Sequence, residues 1–115
     1  PETGRSFKQI LADDGSFAPA DAARLAAAVR NFLALVRKHN PHAVIVWAYG
    51  MLGSSLLPLL RDGLDQYRTV SGDERVHLLE LPEARGDTIG ARQHPGAAAH
   101  RAAANCLAKF LRSVL

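Results

Sequence analysis

Ala43-Val44-Ile45-Val46-Trp47-Ala48 is an unbroken apolar run with β-branched residues at its centre. It is too short for a packed helix and shows no polar alternation, so it reads as a strand buried on both faces, as in parallel sheets. Tyr49-Gly50-Met51-Leu52-Gly53 follows as a glycine-bearing loop at its carboxyl end.

Upstream, Leu25, Val29, Phe32, Leu33 and Val36 recur at helical spacing behind Pro19, which suits a first helical turn. This predicts a helix over residues 19–39, stopped by Asn40-Pro41. Residues 1–18 lack periodicity and hold the turn formers Gly4, Asp13, Asp14, Gly15 and Ser16, so they read as a lead-in arm or loop. Downstream, Ser54 or Ser55 is placed to cap a second helix reaching about residue 70, with Leu56, Leu57, Leu59, Leu60, Leu64 and Tyr67 as its apolar set. Pro58 and Gly63 make its start and middle less regular, and Ser71-Gly72-Asp73 ends it. Val76-His77-Leu78-Leu79-Glu80-Leu81 reads as a second strand. A polar loop from Pro82 to Pro95 leads into a last helix, about Gly96 to Val114, with Ala99, Ala103, Leu107, Phe110, Leu111 and Val114 at helical spacing.

Helix, strand, helix, strand, helix implies an α/β fold: a three-layer α/β/α arrangement with parallel strands, in which ligands bind beyond the carboxyl ends of the strands. Two strands make a poor free-standing sheet. The expectation is a partial, flavodoxin-like sheet completed by further sequence or by a second chain.

With 115 residues, 48% of them hydrophobic and 22% charged, the chain suits one small packed domain. Its formal charge of +3 is spread through the helices at Arg24, Arg30, Arg37, Lys38, Arg101, Lys109 and Arg112 and forms no basic stripe, which argues against a nucleic-acid partner. No apolar run is long enough to span a membrane, and no signal-peptide pattern opens the sequence. Pro1-Glu2-Thr3-Gly4 matches the tail of a sortase signal but stands at the wrong end to act as one. The single cysteine, Cys106, lies in an amphipathic alanine-rich stretch and reads as a core thiol. No H-E-x-x-H or Cys/His cluster is present, so neither a metal nor a cofactor is expected.

The sharpest local feature is Gly90-Ala91-Arg92-Gln93-His94-Pro95-Gly96-Ala97-Ala98-Ala99-His100. Proline holds the residue before it in an extended conformation, so His94 is kept out of the following helix at a defined angle over the sheet edge. That geometry suits a base delivered to a substrate.

This block resembles the SGNH, or GDSL-type, hydrolases, whose last block is a His-Pro at the start of the C-terminal helix with a second histidine soon after, here His100. Tyr49-Gly50-Met51-Leu52-Gly53 after a buried strand, the Gly-Ala-x-x-His-Pro loop and the Asn-Pro-His-Ala lead-in look most like carbohydrate esterase family two, the acetyl-xylan esterase type. The resemblance covers roughly residues 20 to 115 and implies that residues 19–115 are the C-terminal half of a single hydrolase-type domain.

It further implies that His94 is the general base, taking a proton from a serine hydroxyl and returning it to the leaving alcohol. The positions where the family places its acid hold Ala91 and Arg92, so Asp87 or Glu83 would have to substitute, or the histidine would be oriented by a backbone carbonyl. Tyr49, Met51 and Arg92 are the candidates for the substrate pocket, with Trp47 in the core.

The Gly-Asp-Ser nucleophile block and the oxyanion blocks are absent, and Asp13-Asp14-Gly15-Ser16 follows no strand of adequate length. Ser54 and Ser55 lack the G-x-S-x-G elbow and read as capping residues. The expected partners are therefore an acylated carbohydrate or other small ester and a second chain or segment carrying the serine. The competing reading is a non-catalytic α/β module, either a degenerate esterase or a subunit that completes a sheet. Relatives of this type are often secreted, but the sequence itself leaves the compartment open.

Overall fold

The computed structural model describes residues 18–115. The arm expected over residues 1–18 and the Asp13–Ser16 near-match thus lie almost wholly outside the described residues.

Helix α1 spans Pro19–His39, as its periodicity predicts. Proline opens it from the first turn, where a missing N–H costs nothing, and Arg37, Lys38 and His39 complement the dipole in its last turn. Strand β1 is Ile45–Tyr49, helix α2 is Leu57–Ser71 and strand β2 is Val76–Glu80. Two short 3₁₀ turns, Gly86–Thr88 and Ala91–Gln93, precede helix α3, Ala97–Val114.

β1 and β2 pair in parallel, with Ile45 opposite Val76 and Tyr49 opposite Glu80. Residues of one parity face each side of the sheet. On one side Ile45, Trp47, Tyr49 and Leu78 pack against a core of Val29 and Leu33 from α1, Leu60, Leu64 and Tyr67 from α2, and Val76. On the other side the His77 ring meets Phe110 of α3 edge-on, with ring centroids 5.5 Å apart. The layers are therefore α/β/α, with α1 and α2 on one face and α3 on the other.

Four details differ from the sequence expectation. β1 starts at Ile45 because the Arg37 guanidinium takes the Ala43 carbonyl at 2.6 Å, and the Ala43 N–H bonds back to the Asn40 carbonyl. Burial on both faces is not reached: Ala48 is exposed and the rest of β1, including Trp47, is half-buried, since the described sheet contacts of α3 are with β2. Neither Ser54 nor Ser55 caps α2. Its N-cap is Leu56, no side chain caps it, and proline in its first turn removes one of the N–H groups that would need a partner. Cys106 is half-buried, its Sγ 3.9 Å from the Glu80 carbonyl oxygen at the rim of β2, and lies outside the core cluster.

Gly63 explains its own place in mid-helix. A Cβ there would lie 2.6 Å from Val29 Cβ, so the glycine is what lets α2 cross close to α1. At the amino end of the sheet, Arg37 Nε and Nη2 donate to the Asp73 carboxylate at 2.8 and 3.2 Å, and the Tyr67 hydroxyl donates to it at 2.9 Å. The Arg75 N–H adds a bond at 3.0 Å. This network ties α1, α2 and the start of β2 together at the end opposite the glycine-bearing loops.

Candidate active-site loop

The loops that leave the carboxyl ends of β1 and β2 are clipped to each other. The Leu81 N–H donates to the Tyr49 carbonyl at 2.8 Å and the Ala84 N–H to the Met51 carbonyl at 2.9 Å. Gly50 permits this approach: its φ is +128°, and a Cβ there would sit 3.0 Å from the Leu81 carbonyl oxygen. A further set of bonds then carries the order outward. The Arg85 carbonyl accepts from Thr88 N–H at 2.9 Å, and Thr88 Oγ1 lies 2.7 Å from both the carbonyl and the N–H of Arg85.

Thr88 next anchors the histidine turn. Its carbonyl accepts from the Gly96 N–H at 2.8 Å, the His94 carbonyl accepts from Gly90 N–H at 2.6 Å, and Ile89 and Pro95 form an antiparallel bridge. The two arms approach so closely that a Cβ on Gly90 would lie 2.9 Å from the Gly96 Cα. Chain reversal at the tip is made by Arg92 and Gln93, both left-handed with φ of 56° and 62°. Left-handed backbone costs a side-chain-bearing residue on the order of 1–2 kcal/mol, so the cross-bonded arms must hold it in place.

His94 itself is extended, with φ −88° and ψ 160°, as the following proline requires. It lies outside α3, whose N-cap is Gly96, and its side chain is exposed. Its backbone is thus fixed through both arms and, by way of Thr88, Arg85 and Ala84, to the end of β1.

The candidate acids do not join it. Glu83 pairs with Arg85 at 3.2 Å. Asp87 is exposed in the Gly86–Thr88 turn, and among the described residues no hydrogen bond or ion pair reaches the His94 ring. Arg92 is exposed at the tip.

Tyr49 and Met51, with Gly50, Leu52, Gly53 and Leu81, line a depression of about 340 Å³ beyond β1. A neighbouring one of about 380 Å³ holds Ser54, Glu83, Arg85 and Cys106. Both lie at the carboxyl ends of the strands, the usual position for ligands in such sheets. His94, Arg92 and Asp87 line neither. Among the described residues no group of histidine, cysteine and carboxylate side chains is arranged to hold a metal.

Sequence reasoning missed Thr88 and the Gly90/Gly96 contact, although two glycines flanking a short segment are a readable sign of paired arms. It also missed the left-handed Arg92-Gln93 pair, for which side-chain identity gives no signal.

No protein-family model and no curated protein matches the chain. Among solved structures, an acetyl xylan esterase, Est2A, from the rumen bacterium Butyrivibrio proteoclasticus superposes with a TM-score of 0.89 and 37% sequence identity over 98% of this chain. This chain matches one segment of an acetyl xylan esterase. The segment is 30% of that esterase's length. The match spans both strands, all three helices and the histidine turn, so the two-stranded parallel sheet and the helices that cover it superpose on part of that esterase.

Proposed function

We propose that this chain supplies the general base, His94, of a serine ester hydrolase that removes acetyl or other acyl groups from a carbohydrate. The serine nucleophile lies on polypeptide outside these 115 residues. The observation that carries this reading is the near-complete match of the chain to part of an acetyl xylan esterase. The construction of the histidine turn supports it, since loop closure by paired glycines and a strained tip is more than a surface loop needs.

In this role the His94 imidazole accepts the proton of the serine hydroxyl as the oxygen attacks the acyl carbon, and donates it to the departing sugar oxygen. It then activates water in the same way to release the acid. Orientation of the ring falls to a carbonyl or carboxylate that engages when substrate or further polypeptide is present, with Asp87 and Glu83 the local candidates. Tyr49 and Met51 offer an apolar rim on which a sugar ring can rest.

A specific observation favours the non-catalytic alternative: among the described residues no acid is bonded to the ring of His94, and the cation of Arg92 stands two residues away. Labelling with a fluorophosphonate separates the two readings. Incubated with the chain and co-purified polypeptide, the probe is expected to mark a serine on the other polypeptide and to leave this chain unmarked. Labelling of Ser54, Ser55 or any serine of this chain would overturn the placement of the nucleophile, and no labelling of either would favour the non-catalytic reading.

A further inference from the structure

His94 and the apolar rim of Tyr49 and Met51 stand on different loops, and the bonds that join those loops pass through one side chain. The path starts beyond β1, where the Met51 carbonyl accepts from the Ala84 N–H at 2.9 Å. The next residue, Arg85, turns both of its backbone groups to Thr88. Thr88 Oγ1 accepts from the Arg85 N–H and donates to the Arg85 carbonyl, each at 2.7 Å. The Thr88 carbonyl then takes the Gly96 N–H at 2.8 Å, two residues past His94. All the other bonds on this path join backbone to backbone.

From Arg85 to His94 every residue except Thr88 is exposed. Side-chain packing therefore does little to hold this stretch, and its shape rests on hydrogen bonds. The tip also pulls against them, because Arg92 and Gln93 are left-handed and would relax if the arms parted. Thr88 is half-buried in the Gly86–Thr88 turn, which lies against α3. It is thus the point where the loop from β2, the histidine turn and the last helix are fastened together.

We infer that Thr88 is a positioning residue whose hydroxyl fastens the His94 turn to the loop bearing Tyr49 and Met51, so that base and substrate rim keep one fixed separation. This rests on the reading of His94 as the general base. Thr88 acts through the backbone and not on the substrate. Its loss misplaces the base without removing a binding contact, which lowers kcat and leaves KM nearly as it was.

The test measures p-nitrophenyl acetate hydrolysis and amide hydrogen exchange on this chain with its co-purified polypeptide. Thr88→Val keeps the branched shape and removes both hydroxyl bonds, whereas Thr88→Ser keeps them. For Thr88→Val, kcat is expected to fall about 10–100-fold with KM within about twofold of wild type. The Gly90 and Gly96 amides should exchange at least about 10-fold faster, with those of β1 and β2 unchanged as the check on folding. Thr88→Ser should restore kcat to within about threefold of wild type. Gly90→Ala, whose Cβ would press within 2.9 Å of the Gly96 Cα, parts the same arms with Thr88 intact and should also lower kcat. Full kcat in Thr88→Val or in Gly90→Ala would overturn the inference. So would unchanged protection of the turn in Thr88→Val, a rise in KM at constant kcat, or a Thr88→Ser variant as slow as Thr88→Val. His94→Ala is run beside them. If that substitution makes no difference to the complex, the proposed function falls and this role with it, whereas a slow His94→Ala beside a fast Thr88→Val removes the role of Thr88 alone.

Discussion

Asp73 shows how much a single residue can carry that its sequence context conceals. In sequence it is a polar residue in a helix-ending triplet. In the fold it accepts both nitrogens of one face of Arg37, the Tyr67 hydroxyl and the Arg75 N–H. The Arg37 guanidinium, chiefly, holds its carboxyl down at about 2. Both side chains are mostly covered, at 13% and 18% exposure, so their attraction is only partly screened. Asp73→Asn is expected to cost about 2 kcal/mol in chemical denaturation, the scale of a charge-assisted bond lost at a covered site. Because the folded state depresses this acid, the stabilisation is complete above the unfolded value near 3.8 and disappears as the pH falls towards about 2. The Asn variant should lack that acid step. His94 is the opposite case: its extended backbone was legible from Pro95, but the left-handed Arg92 and Gln93 that aim it were not.

At the scale of elements, patterns with many repeats were read well and single-residue signals poorly. The bounds of α1 and α3 follow from several apolar residues each, and Gly72 ends α2 in the left-handed conformation with its N–H on the Arg68 carbonyl at 2.8 Å. The start of α2 was misread because a serine before a helix is a strong capping cue. Here the chain enters through a turn in which Leu57 N–H bonds to the Ser54 carbonyl, and the helix begins one residue beyond Leu56. The α3 layer also rests on something periodicity does not show, the contact of His77 with Phe110. Burial, and then the charge of Arg68, lowers the His77 pKa below 6.5. The folded state therefore resists protonating it while the unfolded chain does not. Stability from this group is full above pH 6.5 and declines as the pH falls below that value. Thermal melts of wild type should lose stability between pH 7.5 and 5.5, and His77→Leu should reduce that loss. An unchanged pH dependence in the variant would remove His77 from the account.

At the scale of the molecule, the α/β/α order, the parallel pairing and the partial sheet were all legible, because short apolar runs alternating with long amphipathic ones leave few topologies. Which edge of the sheet is left unpaired among the described residues was not legible. It depends on the Arg68 and Cys106 contacts at the β2 rim, which only the folded chain brings together. The same holds for the site. The sequence singled out the His94 turn, while the fold ties it to the end of β1 through bonds passing by way of Thr88 and Ala84, yet leaves it outside the depressions lined by Tyr49 and Glu83. Under the proposed function the catalytic unit is the carboxyl-end face of a sheet whose other strands lie on further polypeptide, and the reaction belongs to that whole. The most direct test is hydrolysis of p-nitrophenyl acetate by the co-purified complex, comparing wild type with His94→Ala after both are shown to assemble and melt alike. With His94 as the general base, kcat/KM is expected to fall by about 10²–10⁴-fold, the usual contribution of a positioned general base. Undiminished hydrolysis by the alanine variant would contradict it.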